Sequence, residues 1–363
     1  MKKLLFSFVF LLTISFTTLA QTVRYVDNNT GAPNSAGLNY STIQAAVDAS
    51  SAGDIIYVQP SPNNYGNISM NKTLHIYGIG HNPVLNAGQY AIFNDIHFLA
   101  SAASSTISGL NVRDFYLHYT AGNNDGILIS NNRIRQAVRG NNSTGYSADI
   151  VVSGNYFQNN SHYHINNVNS QNWIISNNTF ERSSTGSNSY IFYRLNNTTV
   201  LNNNIILTRQ NGDGNQSINI FNACSGTQIS NNIFIFTGNS VSNMNLGGNS
   251  ALTFNNNLTY SVTTVLDPLG GTNIDDTNPL FTSFSPNNSL NNTTHDYTFQ
   301  GGSLAINAGS DGNDLGVMNG GFPFNVRGYP TELPYLTDFV IFNNILSEGT
   351  DLNINVKANA NNN

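Results

Sequence analysis

Down the middle of the chain one short phrase recurs, an apolar residue, a pair of small polar residues rich in Asn, and a second apolar stretch. It reads Ile107-Ser108-Gly109-Leu110-Asn111-Val112, Ile129-Ser130-Asn131-Asn132-Arg133-Ile134, Val152-Ser153-Gly154-Asn155-Tyr156-Phe157 and Ile175-Ser176-Asn177-Asn178-Thr179-Phe180. It continues as Leu201-Asn202-Asn203-Asn204-Ile205-Ile206, Ile229-Ser230-Asn231-Asn232-Ile233-Phe234 and Phe254-Asn255-Asn256-Asn257-Leu258-Thr259. Aligned on the fourth residue, positions 110, 132, 155, 178, 204, 232 and 257 are separated by 22, 23, 23, 26, 28 and 25 residues. A period of this length is the mark of a solenoid, whose core grows along one axis as repeats stack.

Within a repeat the apolar positions alternate: Ile127 and Ile129, then Ile134; Ile150 and Val152, then Phe157; Trp173 and Ile175, then Phe180. Period two predicts strands, and the β-branched and aromatic side chains suit them. Asn and Gly between the strand pieces tolerate the left-handed backbone that a sharp corner demands. Three short strands and three corners fill 22 to 28 residues. The predicted fold is therefore all-β, a parallel β-helix with three-strand coils and asparagine-rich corners. Stacking would set Asn132, Asn155, Asn178, Asn204, Asn232 and Asn257 above one another at the strand spacing of about 4.8 Å. At that spacing each amide donates to one neighbour and accepts from the other.

Proline supports the same limits, because it cannot donate to a ladder. All ten prolines lie at or before Pro83 or at or after Pro268. Ser41-Thr42-Ile43-Gln44 is a capping-box pattern opening a short amphipathic helix through Ala49, placed to cap the N-terminal end. Phe339 to Leu346 and Leu352 to Val356 alternate as strands and are expected to cover the last coils. The organisation read from these features is a leader at 1–20, an N-terminal cap at 21–54, the β-helix at 55–316, and capping strands with a tail at 317–363.

The leader reading rests on Met1-Lys2-Lys3, the apolar run Leu4 to Phe16 and the small-residue ending Thr18-Leu19-Ala20, the three zones of a secretory signal peptide. It predicts a secreted protein without a transmembrane segment, since no later stretch approaches the ~20 apolar residues of a spanning helix. Asn makes up 64 of 363 residues and charged residues only 9%, yet 39% hydrophobic content in regular spacing argues for a packed core rather than disorder. Loss of Lys2 and Lys3 leaves 11 basic against 19 acidic residues, a balance that argues against nucleic acid. The single Cys224 excludes an intrachain disulfide and reads as a buried, inert thiol.

The segment Tyr40-Ser41-Thr42-Ile43-Gln44-Ala45-Ala46-Val47-Asp48, followed by Ala52-Gly53-Asp54-Ile55-Ile56-Tyr57-Val58 and Lys72-Thr73-Leu74-His75-Ile76-Tyr77-Gly78, resembles the N-terminal cap and first coil of the pectin-lyase-like right-handed parallel β-helix superfamily. Gly302 to Gly309 with Asp314-Leu315-Gly316 looks like the closing coil of secreted bacterial members, with Leu304 where Pro is usual. The resemblance implies a right-handed winding and a class that includes polysaccharide lyases, polygalacturonases, uronan epimerases and adhesins. Of the polygalacturonase set only an Asp pair, Asp275-Asp276, is present, so the hydrolase reading is poor. The repeat body carries five spread acids, too few for a clustered calcium site.

Seven Arg and no Lys lie between residues 101 and 260. Coil alignment places Arg113, Arg135, Gln158 and Glu181 in one outward column, with Asp114 and Arg182 beside it, and Arg139, His164 and Arg194 in a second. Arg forks match carboxylates, so Arg113, Arg135, Glu181, Arg182 and Tyr163 are candidate ligand-binding residues for a polysaccharide partner. A lyase or epimerase needs a cation on the substrate carboxylate and a base for the adjacent proton, roles open to Arg139, Arg194 and His164. His162-Tyr163-His164 lacks a Cys or acidic companion, so no metal and no cofactor is expected. Carbohydrate binding without catalysis leads; a lyase or epimerase, and a structural adhesin, remain as alternatives.

Overall fold

The computed structural model describes residues 21–31, 37–85, 88–117, 124–140, 147–158, 163–183, 190–209, 219–237, 244, 246–330, 333, 335–341, 351 and 354–359. The expected leader at 1–20, together with His162, lies outside them.

The chain winds into a parallel β-solenoid. One sheet, eleven strands long among the described residues, stacks Val23–Val26, Ile55–Val58, His75–Tyr77, Thr106–Ser108, Leu128–Ser130, Val151–Ser153, Ile174–Ser176, Val200–Asn202, Gln228–Ser230 and Thr253–Asn255 in parallel, with Asn39–Tyr40 at its start. A second sheet stacks Ile68–Met70, Ile92–Phe98, Asn111–Leu117 and Arg133–Arg139, then divides. One branch continues through Tyr156–Phe157, Thr179–Arg182, Ile205–Thr208, Ile233–Phe236 and Leu258–Ser261. The other continues through Ile165–Asn166, Tyr190–Tyr193 and Asn219–Asn222. Two of the three predicted strands per coil are thus one seven-residue strand in the early coils and separate pieces later.

Register confirms the alternation. Ile107, Ile129, Val152, Ile175, Leu201 and Ile229 are cross-strand partners in the first sheet, and all are buried. Across the interior Phe157 stacks on Phe180 at 4.4 Å and Phe192 on Phe221 at 5.3 Å. Each such side chain contributes roughly 1.5–3 kcal/mol of burial, without a disulfide. Cys224 is the buried thiol anticipated, and burial pushes it up to about 11.

The predicted asparagine column is present. Asn132 donates its backbone N–H (2.9 Å) and its Nδ2 (3.2 Å) to Asn155 Oδ1, and Asn155 does the same to Asn178 at 2.9 and 3.0 Å. The pattern passes through Asn204, Asn232 and Asn257 and continues to Asn273, beyond the repeats read from the sequence. One residue earlier in each corner, Gly109, Asn131, Gly154, Asn177, Asn203, Asn231 and Asn256 all have φ between 53° and 74°. The corner divides its labour: the first residue makes the left-handed turn, the second fills the interior with a self-satisfied amide.

Two local expectations differ. The helix Ile43–Ala49 exists, but its N-cap is Thr42 and no side-chain cap bond forms. Gln44 instead pairs with the backbone of Ser69 in the next coil, its Oε1 accepting from Ser69 N at 3.0 Å. The limits of the solenoid also shift. Parallel pairing already includes Val23–Val26 and ends at Leu258–Ser261 with a bridge to Ile274. Tyr335–Ile341 and Ile354–Asn359 pair with each other as an antiparallel hairpin.

Residues 281–330 form a strap that runs back along the outside of the coils. It begins with the hairpin of Phe281–Ser283 and Asp296–Phe299 and passes Gly316 at Asn231, then Val317 at Asn177. Its far end reaches the early coils, where Asn82 N donates to Arg327 O. Left-handed corner residues hold it: Asn256 Nδ2 donates to Ala308 O, and Asn231 Oδ1 accepts from Ser310 N, both at 2.9 Å. Beneath it lies a second core in which Leu290, Tyr297, Leu315, Val317 and Phe324 cover Tyr156, Ile205, Leu207, Ile233 and Ile235. Ile205-Ile206-Leu207 and Ile233-Phe234-Ile235 do not alternate in polarity because both of their faces are buried.

Candidate functional site

The strand Arg133–Arg139 carries a one-residue bulge. Its pairing with Asn111–Leu117 advances from Ile134↔Val112 to Ala137↔Asp114, so Arg139 lies opposite Tyr116. Without that extra residue Arg139 would stand opposite Leu117, which is buried. The bulge therefore turns a guanidinium out of the core.

Outside that strand a file of rings and guanidinium groups follows the coil axis. His97 and Tyr116 stack at 4.9 Å; the Arg139 guanidinium lies 5.5 Å from the Tyr116 ring and 4.8 Å from the Tyr163 ring. Tyr163 stacks on Tyr193 at 5.7 Å, Tyr193 on Tyr190 at 5.9 Å, and Arg194 covers Tyr193 at 4.9 Å. Arg194 is exposed and occupies a left-handed corner, φ 60°. All the rings are partly exposed.

The charges at the head of this file are internally matched. Arg113 forks onto Asp95 at 2.9 and 2.5 Å and lies 3.6 Å from Asp114. Arg139 bonds Asp114 at 2.8 Å and donates from Nη1 to the Tyr163 hydroxyl at 2.6 Å. Burial raises the Asp114 carboxyl above its usual range, while Arg139 and Arg113 pull it back. Two acids and two guanidiniums alternate, leaving a polar, aromatic surface with no local excess of charge.

The other predicted residues are placed differently. His164 does not face outward: it is fully buried, edge-on to Phe157 at 5.7 Å and Phe180 at 6.0 Å. Burial, with Arg182 close by, pushes its pKa down to about 3, so it stands neutral inside the core. Arg182 is also fully buried, and burial lowers it to about 10. Glu181 is buried and saturated. It accepts from Tyr156 Oη at 2.9 Å, Arg209 Nη1 at 2.5 Å, and Ser289 Oγ and Leu290 N at 3.0 Å, which makes it the anchor of the strap. Arg135 donates to Phe93 O and is lowered by burial. The structure thus brings Arg113, Arg139, Tyr163 and Arg194 onto one flank and takes His164, Glu181 and Arg182 away from it. Tyr193, Tyr190 and His97 were missed; the two tyrosines flank a buried Ile191-Phe192 pair, a pattern that does not alternate, so period two gave no signal for them.

Among the described residues no group of three or more His, Cys, Asp or Glu is arranged to hold a metal ion, and no helix is long and apolar enough to cross a membrane. The class defined by this geometry is a parallel β-solenoid repeat protein. No family model matches the chain, and no curated protein matches it.

Proposed function

We propose that the chain is an exported, right-handed parallel β-helix that binds a polysaccharide along the flank of stacked rings, without catalysis. The observation that carries this reading is the file from His97 through Tyr116, Arg139, Tyr163 and Tyr193 to Arg194. Partly exposed groups, a ring or a guanidinium on each successive coil, match the rise of successive sugars along an extended chain, and the polar groups between them supply hydrogen bonds. Right-handed winding follows the strong preference of parallel crossovers, export follows the leader-like start, and the helix Ile43–Ala49 serves as the N-terminal cap. A lyase or epimerase is the weaker reading because Asp114 already neutralises Arg139 and His164 is inside the core.

Affinity electrophoresis in gels containing alginate, pectate or chondroitin tests this. At least one polymer should retard the protein. Replacing Tyr163 and Tyr193 with Ala should weaken the retardation by about tenfold or more, since each ring contributes about 1 kcal/mol. Undiminished retardation in that variant would reject the flank, and ultraviolet absorbance of an unsaturated product would restore the lyase.

A further inference from the structure

Where the strap crosses the early coils it leaves a cavity of about 320 Å³, walled on one side by Asn82, Val84, Arg133 and Tyr156 and on the other by Ser289 and Thr293. Arg133 is the one charged side chain lining it. Its guanidinium lies between two rings, 5.9 Å from Tyr90 and 5.7 Å from Tyr156. Its Nε and Nη2 both donate to Gln158 Oε1, at 3.0 and 2.8 Å. The anchor is a neutral amide, so the orientation is fixed while the charge is not compensated. Arg24, Arg113, Arg139 and Arg209 are each paired with a carboxylate, and among the described residues no carboxylate pairs with Arg133.

The remaining walls narrow the ligand. Tyr156 is buried and its Oη is committed to Glu181 and Ser289, so it forms the floor of the cavity and has no free hydroxyl to offer. His81, behind the Tyr156 ring at 6.3 Å, is fully buried and brings no second charge. A single oriented guanidinium fits one planar carboxylate better than a phosphate dianion. The volume is at the small end of ligand pockets, room for one sugar ring beside the Arg133 guanidinium.

We propose that this cavity is an end-site for a single carboxylate-bearing sugar, with the carboxylate on Arg133. The class of ligand rests on the polysaccharide reading, but none of the residues belongs to the stacked file. Titration calorimetry of the full chain with sodium galacturonate, galactose and inorganic phosphate tests it. Galacturonate should bind saturably, and galactose and phosphate at least tenfold more weakly. Arg133→Gln should weaken galacturonate at least tenfold. Thr293→Trp, on the exposed rim, should block it equally with an unchanged melting temperature, and it decides the matter if Arg133→Gln does not fold. The Tyr163→Ala, Tyr193→Ala double variant should bind galacturonate as before, so failure of the flank and failure of this site are read separately. No binding of galacturonate, equal binding of galactose, tighter binding of phosphate, or retention in Thr293→Trp would overturn the proposal.

Discussion

At the scale of the residue, two adjacent asparagines in one corner carry different loads. Asn132 lies inside, where its Oδ1 accepts from Leu110 N at 3.0 Å and its Nδ2 donates to Ile107 O at 2.9 Å. Asn132→Ala would leave the Leu110 N–H buried without a partner and take one donor each from Ile107 O and Asn155 Oδ1, at about 1–3 kcal/mol for the orphaned group. The expected loss is roughly 3 kcal/mol, read as a lower urea midpoint at unchanged slope. Asn131 makes the turn with φ 55°, a conformation glycine adopts freely. Asn131→Gly should therefore stay within about 1 kcal/mol of the parent in the same experiment. Identical residue types at neighbouring positions would then separate by conformation and burial alone.

At the scale of the element, the strap depends on close backbone approach at its far end. A Cβ added at Gly328 would meet the His81 ring at 1.7 Å, and Gly328 has φ 60°. His81 cannot yield, being enclosed by Tyr156 and Phe324. Gly328→Ala should lift the end of the strap and create a protease-sensitive site near residues 325–330, while amide exchange in the asparagine column stays slow. Equal protease resistance would show that the strap end is not held by this contact. The bulge in Arg133–Arg139 is the other decisive element. It moves Arg139 from opposite a buried Leu to opposite a partly exposed Tyr, and it is set by pairing with a neighbouring strand.

At the scale of the whole molecule, two buried imidazoles tie stability to acid. Burial holds His81 and His164 down to about 3, against an ordinary value of 6.5. Above about pH 6.5 both are neutral folded or unfolded and cost nothing. As pH falls from 6.5 toward 3 the unfolded chain takes up protons that the folded chain refuses, so stability declines. The slope should reach about 1.4 kcal/mol per pH unit for each imidazole. His164→Phe, which fits the aromatic surroundings, should lessen the loss in urea titrations across pH 7 to 4; an unchanged pH dependence would remove His164 from this account.

Repetition made the coils legible. The column from Asn132 to Asn257 was readable because each coil poses the same local problem, a corner with one inward amide, and solves it with the same residues, whereas Asn273, only 16 residues on, falls outside the period. Alternation identified the inward apolar positions for the same reason. The candidate site was legible only in part. Arg113, Arg139, Tyr163 and Arg194 do share a flank, but parity counted from the corner also sent His164 outward, and the structure places it inward. The role of Glu181 was not readable at all, because its partners Ser289 and Leu290 lie 108 and 109 residues away and follow no period.

The chain by itself determined a winding of parallel strands, the stacked amides and a core without disulfides, since these depend on contacts that recur from one coil to the next. Only the tertiary structure decided which side of the rod is covered by the strap, where a bulge turns Arg139 outward, and that Arg133 faces a cavity. Those outcomes depend on single contacts between distant segments, and a contact made once leaves no periodic trace in sequence.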